Sequence, residues 1–206
     1  LFVSFSWGAS FMFTRLAVEE IAPTYLVVLR LFLASVLLGP IFIRMKDLAL
    51  MKEQIPAILL LGIINAALPF FLYAYSAQEL SAGMLSILNG TSPLFALIIA
   101  IIVFKQNTTI MQIFGLGLGF IGLLVFIGVD KLSFIFFPVL LCLIGAFCYA
   151  YSNNILFKLN HIKSSALASV TMISGFFFSL PLILVEPKAF SWDISCLLYT
   201  SDAADD

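Results

Sequence analysis

The chain has 206 residues, of which 63% are apolar and 10% charged, against roughly 45–50% and 25% in an ordinary soluble domain. Mean hydropathy is +1.16. Such a chain cannot cover a water-facing surface with polar groups, which excludes a soluble enzyme, a nucleic-acid binder and a disordered protein, and a net charge of −1 points to no polyanionic partner.

A membrane helix needs about 20 mostly apolar residues. Seven candidate spans follow in chain order: 1–17, 24–43, 55–77, 83–104, 110–128, 135–157 and 165–185. The apolar runs are continuous rather than alternating with period two, so helices are expected and strands are not. The expected fold class is all-α integral membrane. Residue 1 is Leu, already inside an apolar run, and a fragment is therefore expected.

The connections are short and carry most of the charge. One set of alternate loops holds six basic residues: Arg44, Lys46, Lys52, Lys105, Lys158 and Lys163. The other set holds three, Arg15, Lys131 and Lys188, among several carboxylates. The excess of Lys and Arg marks the cytoplasmic side, which places the N-terminus in the cytoplasm.

Arg30 lies within the second span, where an ionised side chain must face protein or water. It reads as an anion contact or gating pair, or as a snorkelling side chain or a structural bond to backbone carbonyls. The third span contains Asn65, Pro69, Tyr73 and Tyr75, and Pro69 can open or kink the helix. The fourth carries the run LNGTSPLF with Asn89, Gly90, Thr91, Ser92 and Pro93. A polar, Gly- and Pro-interrupted stretch at mid-membrane suits a central site, while packing through small residues is the competing reading. The sixth span adds Tyr149, Tyr151, Ser152, Asn153 and Asn154, either as cavity lining or as a headgroup-level anchor.

Gly117, Gly119 and Gly122 match G-x-G-x-x-G, but a dinucleotide loop needs a preceding strand and a helix start. Inside an apolar helix, close packing through Gly115 and Gly119 is the better reading. Cys142, Cys148 and Cys196 show no paired spacing, so neither a disulfide framework nor a zinc site is indicated. His161 reads as a solvated loop residue. No catalytic constellation, metal or cofactor is expected. Offsetting the chain by 141 residues lays Leu26 on Leu167 and Pro40 on Pro181, a weak repeat that must be inverted if its unit has five spans.

Several motifs together carry a family resemblance: Trp7-Gly8, Leu29-Arg30, the Ser81-Ala82-Gly83 helix start, Pro93-Leu94-Phe95, and Gly115 followed by Gly122. With them, residues 5–128 resemble EamA-type members of the drug/metabolite transporter superfamily. The resemblance implies two inverted five-helix repeats, ten helices in the whole protein, with both termini cytoplasmic in the inner membrane. Residues 1–128 would form the first repeat and 135–195 an incomplete second. It implies a secondary transporter, not an enzyme, that exports amino acids or other small metabolites by alternating access through a central cavity. Its partners would be a small-molecule substrate and the lipid bilayer, with no nucleic acid; a homodimer stays open. The candidate cavity residues are Trp7, Arg30, Asn65, Tyr73, Asn89, Ser92, Tyr149 and Asn153. The family often has Gly-Glu where the fourth span ends, and this chain has Lys105-Gln106, so no role of that Glu carries over. A membrane-embedded enzyme acting on lipid-linked substrates and a non-transporting helical scaffold are the alternatives. The tail CLLYTSDAADD, residues 196–206, resembles a translated sequencing adapter, which implies a non-native end. With about three helices missing, the fragment is expected not to transport.

Overall fold

The computed structural model describes residues 2–43, 53–103, 105, 107–127 and 129–184. The tail and residues 185–195 therefore lie outside the described residues, as do Arg44, Lys46, Lys52 and Lys188. The described residues form helices joined by short connections. They are α1 (Phe2–Glu20), α2 (Pro23–Ile43), α3 (Ile55–Ser76), α4 (Ala82–Ile102), α5 (Ile110–Ile127), α6 (Val129–Lys158) and α7 (Ser164–Ser179), the last running into a 3-10 turn at Leu180–Leu184. Each expected span corresponds to one of these helices. Five of them, α2, α3, α4, α6 and α7, are long and apolar enough to cross a membrane. The apolar stretch of α5, Ile110–Phe126, is shorter, and α1 ends in the charged residues Arg15, Glu19 and Glu20.

Local chemistry explains the helix starts. Pro23 opens α2, where its missing N–H is one the helix would leave unpaired anyway. Ser81 caps α4, its hydroxyl accepting the Met84 N–H at 3.3 Å. Before α5, Gln112 Oε1 accepts the Thr109 N–H at 2.8 Å and Thr109 Oγ1 accepts the Gln112 N–H at 3.4 Å, a reciprocal capping box. Lys105, just past α4, adopts a left-handed backbone with φ 48°. A glycine takes that conformation without a Cβ clash, which supplies a physical reason for the Gly of the resembling Gly-Glu pattern.

The helices pack unevenly. α7 lies along α2 and crosses the middle of α3; α6 packs on the C-terminal half of α3 and on the second half of α4; α1 covers the first half of α4. The main core joins Val27 and Leu31 of α2, Ala66 and Ala74 of α3, Leu85 and Leu88 of α4, and Cys142 of α6. A second cluster joins Ile58 and Leu61 to Leu159, Ile162 and Leu167.

The crossing of α3 and α7 is close because both helices present glycine. A Cβ on Gly62 would sit 2.7 Å from Ser174 Cβ, and one on Gly175 would sit 2.8 Å from Ala66 Cβ and 3.0 Å from the Gly62 carbonyl oxygen. In α5, by contrast, only Gly119 has a close neighbour, Leu94 Cδ2 at 2.9 Å; Gly115, Gly117 and Gly122 meet nothing within 4 Å among the described residues. The expected Gly115–Gly119 packing pair is thus reduced to Gly119, because α5 packs only sparsely against α4 and α6 among the described residues. All of these glycines lie inside one continuous helix, without the turn that a phosphate loop requires.

Candidate substrate cavity

Two of the helices are interrupted, and by the same chemistry. In α3 the backbone changes to π-helix over Gly62–Ala67, with the Leu68 N–H donating to the Ile63 carbonyl five residues back. In α4 the helix breaks at Gly90 and Thr91 between Ala82–Asn89 and Ser92–Ile102. Each break lies immediately before a proline. Pro69 and Pro93 have no N–H to give the carbonyl four residues earlier. Those carbonyls belong to Asn65 and Asn89, so the pattern Asn-x-x-x-Pro occurs once in each helix. In α4 the loss is repaired locally: Ser92 Oγ donates to the Asn89 carbonyl at 2.7 Å and Thr91 Oγ1 donates to the Leu88 carbonyl at 2.6 Å. Short π segments of this kind are frequent at functional sites.

Both asparagine side chains line one cavity of about 430 Å³. Trp7 of α1, Phe70 of α3, Gly90, Ser92 and Pro93 of α4, Tyr149 and Asn153 of α6, and Met172 of α7 complete its wall. Six of the eight sequence candidates therefore line it: Trp7, Asn65, Asn89, Ser92, Tyr149 and Asn153. Tyr73 and Arg30 do not. Tyr73 is buried behind the wall, packed over Gly145, with its hydroxyl donating to the Cys142 carbonyl at 3.1 Å. It supports Tyr149 by ring stacking, with centroids 6.2 Å apart and planes at 18°. Trp7 meets Tyr149 edge-on at 6.0 Å. Phe70 and Met172 had no distinguishing signal, being apolar residues in apolar helices; only the way the helices pack brings them to the wall.

The polar groups of the wall differ in how they are satisfied. The Ser152 hydroxyl lies 2.7 Å from Asn65 Oδ1 and 2.9 Å from the Tyr149 carbonyl, so it ties α3 to α6 at the cavity edge. Asn89 Oδ1 is buried with no hydrogen-bond partner. A buried acceptor left in that state is costly unless something donates to it.

Asn65 and Met172 also line a second cavity, of about 390 Å³. Its other walls are Leu156, Leu159, Asn160 and Ile162 around the end of α6, and Ser164, Leu167, Ala168 and Thr171 of α7. Asn65 and Met172 thus form the partition between a central chamber and one that opens beside the Lys158–Lys163 connection. No cluster of His, Cys, Asp and Glu suited to a metal ion occurs among the described residues.

Residues 1–128 match the EamA-like transporter family. The chain belongs to that family. With its membrane-length helices, it is a multi-pass membrane protein. It is 26% identical over 155 residues to YoaV, an uncharacterized transporter of Bacillus subtilis, covering 73% of this chain and 53% of the relative. It is 26% identical over 186 residues to YdfC, an uncharacterized transporter of the same organism, covering 88% and 59%. A Chlamydia trachomatis protein named as an S-adenosylmethionine/S-adenosylhomocysteine transporter is 30% identical over 125 residues, covering 60% of this chain and 38% of its own length. The chain therefore spans between about two-fifths and three-fifths of the length of these relatives. No solved structure matches it.

Proposed function

We propose that this chain forms the substrate-binding part of a secondary transporter that moves small metabolites, amino acids among them, out across the inner membrane. The observation that carries the reading is the convergence of two helix breaks on one chamber. Two Asn-x-x-x-Pro sites, on α3 and α4, place polar side chains and loosened backbone at the same wall. Irregular backbone at membrane depth is tolerated only where it lines a cavity or is buried in protein, and discontinuous helices are where secondary transporters bind their cargo. Asn89 Oδ1 is an acceptor without a partner while it is covered, and an ammonium or amide of a metabolite would supply the donor in a state that uncovers it.

Alternating access requires a partition that opens on one side at a time. The shared wall of Asn65 and Met172 is suited to that task, with the Ser152 hydroxyl as the latch. A ligand shifts such an equilibrium only by binding one state better than the other, which the Asn65–Ser152 bond can provide if cargo competes for Asn65. Residues 1–128 act as the first repeat in this reading, and 135–195 begin an inverted second one. The juxtaposition of α2 and α7, where Ser169 Oγ donates to the Leu38 carbonyl at 2.8 Å, fits a contact between equivalent helices of two such repeats. The excess of Lys and Arg in one set of loops supports a cytoplasmic N-terminus.

The test is flux through the full-length gene product in liposomes, using a panel of amino acids and S-adenosyl compounds. Saturable flux that Asn89→Leu abolishes supports the central cavity. Unchanged flux in that variant removes Asn89 from the path, and the absence of saturable flux for every compound refutes the reading.

A further inference from the structure

Arg30 of α2 is an ionised group inside the helical bundle with an unusual set of neighbours. Its Nη1 donates to Thr14 Oγ1 and its Nη2 to Ser10 Oγ, both at 2.8 Å. Thr14 Oγ1 in turn donates to the Ser10 carbonyl at 2.7 Å. The guanidinium lies over the Phe70 ring, 5.0 Å from its centroid. No carboxylate among the described residues pairs with it; the ion pair found there joins Arg15 to Glu19. Phe70 belongs to the wall of the central cavity. The positive charge is thus one aromatic ring away from a chamber whose named lining residues include no acid.

We infer that Arg30 makes the cavity selective for ligands that carry a carboxylate, held on the α2 side of the chamber. The inference rests on the central-cavity reading above and names the chemistry of the cargo. A charge in the membrane interior is sustained by pairing or by access to water. Two neutral hydroxyls orient the guanidinium but do not neutralise it. Ser10 and Thr14 engage one N–H donor each, and the charge acts on the chamber through space, across the Phe70 ring. The low-dielectric surroundings strengthen attraction for an anion in the chamber. The arrangement also predicts what is rejected: an amine of the same shape, lacking the carboxylate, brings a second positive charge toward an unneutralised one.

Trp7 lines the same chamber and supplies the readout. Residues 1–206 contain two tryptophans, Trp7 and Trp192, so replacing Trp192 and any tryptophan outside these residues by Phe leaves Trp7 as the reporter. The full-length protein with those changes is titrated with L-methionine, L-threonine and S-adenosylmethionine. Each is compared with its decarboxylated amine, and the two amino acids also with their methyl esters. Acid forms are expected to bind about tenfold or more tighter than the amines and esters, the order of one through-space charge attraction in partly screened surroundings. Arg30→Gln should bring acid and amine within about threefold of each other, and Arg30→Lys, which keeps the charge, should retain most of the preference. Equal binding of acid, ester and amine by the parent protein overturns the role of Arg30 while leaving the cavity in place, and so does a preference that survives Arg30→Gln. If Arg30→Gln does not fold, the acid, ester and amine series on the parent and the Lys variant decides alone. Binding of no probe at all sinks the cavity reading, and this inference with it.

Discussion

Replacing Gly175 by alanine tests whether the α3–α7 crossing is as close as the structure shows. The added Cβ would lie 2.8 Å from Ala66 Cβ, 3.0 Å from the Gly62 carbonyl oxygen and 3.6 Å from the Ala67 nitrogen. Two of these neighbours are backbone atoms and the third is a Cβ, so none can swing aside. The helices must separate or bend. Overpacking of this kind costs about 1–3 kcal/mol, and contact with rigid neighbours puts it at the upper end. The gain in helix propensity from Gly to Ala returns about 1 kcal/mol, leaving a net loss of about 2 kcal/mol. For a chain of this size that lowers the melting temperature by about 4–8 °C. Gly117→Ala is the control, since nothing lies within 4 Å of its added Cβ, and it should be neutral or slightly stabilising. Thermal unfolding of both variants in detergent, followed by circular dichroism, gives the comparison. A Gly175→Ala protein that melts at or above the parent, with Gly117→Ala below it, would refute the close crossing.

Lys105→Gly relieves a left-handed backbone at φ 48° and should raise stability by up to about 1 kcal/mol, read as a higher melting temperature. Tyr73→Phe removes the hydroxyl that donates to the Cys142 carbonyl and should cost about 1 kcal/mol; an unchanged melting temperature would mean that bond contributes nothing. For topology, single cysteines at positions 131 and 163, in a background lacking Cys142, Cys148 and Cys196, should label from outside and inside the cell respectively. Reversed labelling would refute the charge argument.

The sequence by itself determined the solvent, the positions of the described helices and much of the chemistry. Apolar runs of membrane length leave no other way to satisfy backbone hydrogen bonds, so the positions of α1 to α7 were legible before any packing was known. Proline and glycine marked where α3 and α4 would be interrupted, because the missing N–H is a local property of the chain. What local chemistry could not determine was which groups meet. Tyr73 and Arg30 resembled Asn65 and Asn89 as polar residues in apolar helices, yet Tyr73 is spent on the Cys142 carbonyl and Arg30 lies one ring behind the wall. Phe70 and Met172 carried no signal, and became part of the chamber only through the approach of α3 to α7. That approach depends on Gly62 facing Gly175 across 113 positions of sequence, a pairing that no single helix encodes. The tertiary structure therefore decided the cavity, its partition at Asn65 and Met172, and the unpaired charge of Arg30 beside it, because each depends on distances between helices rather than on the character of any one of them.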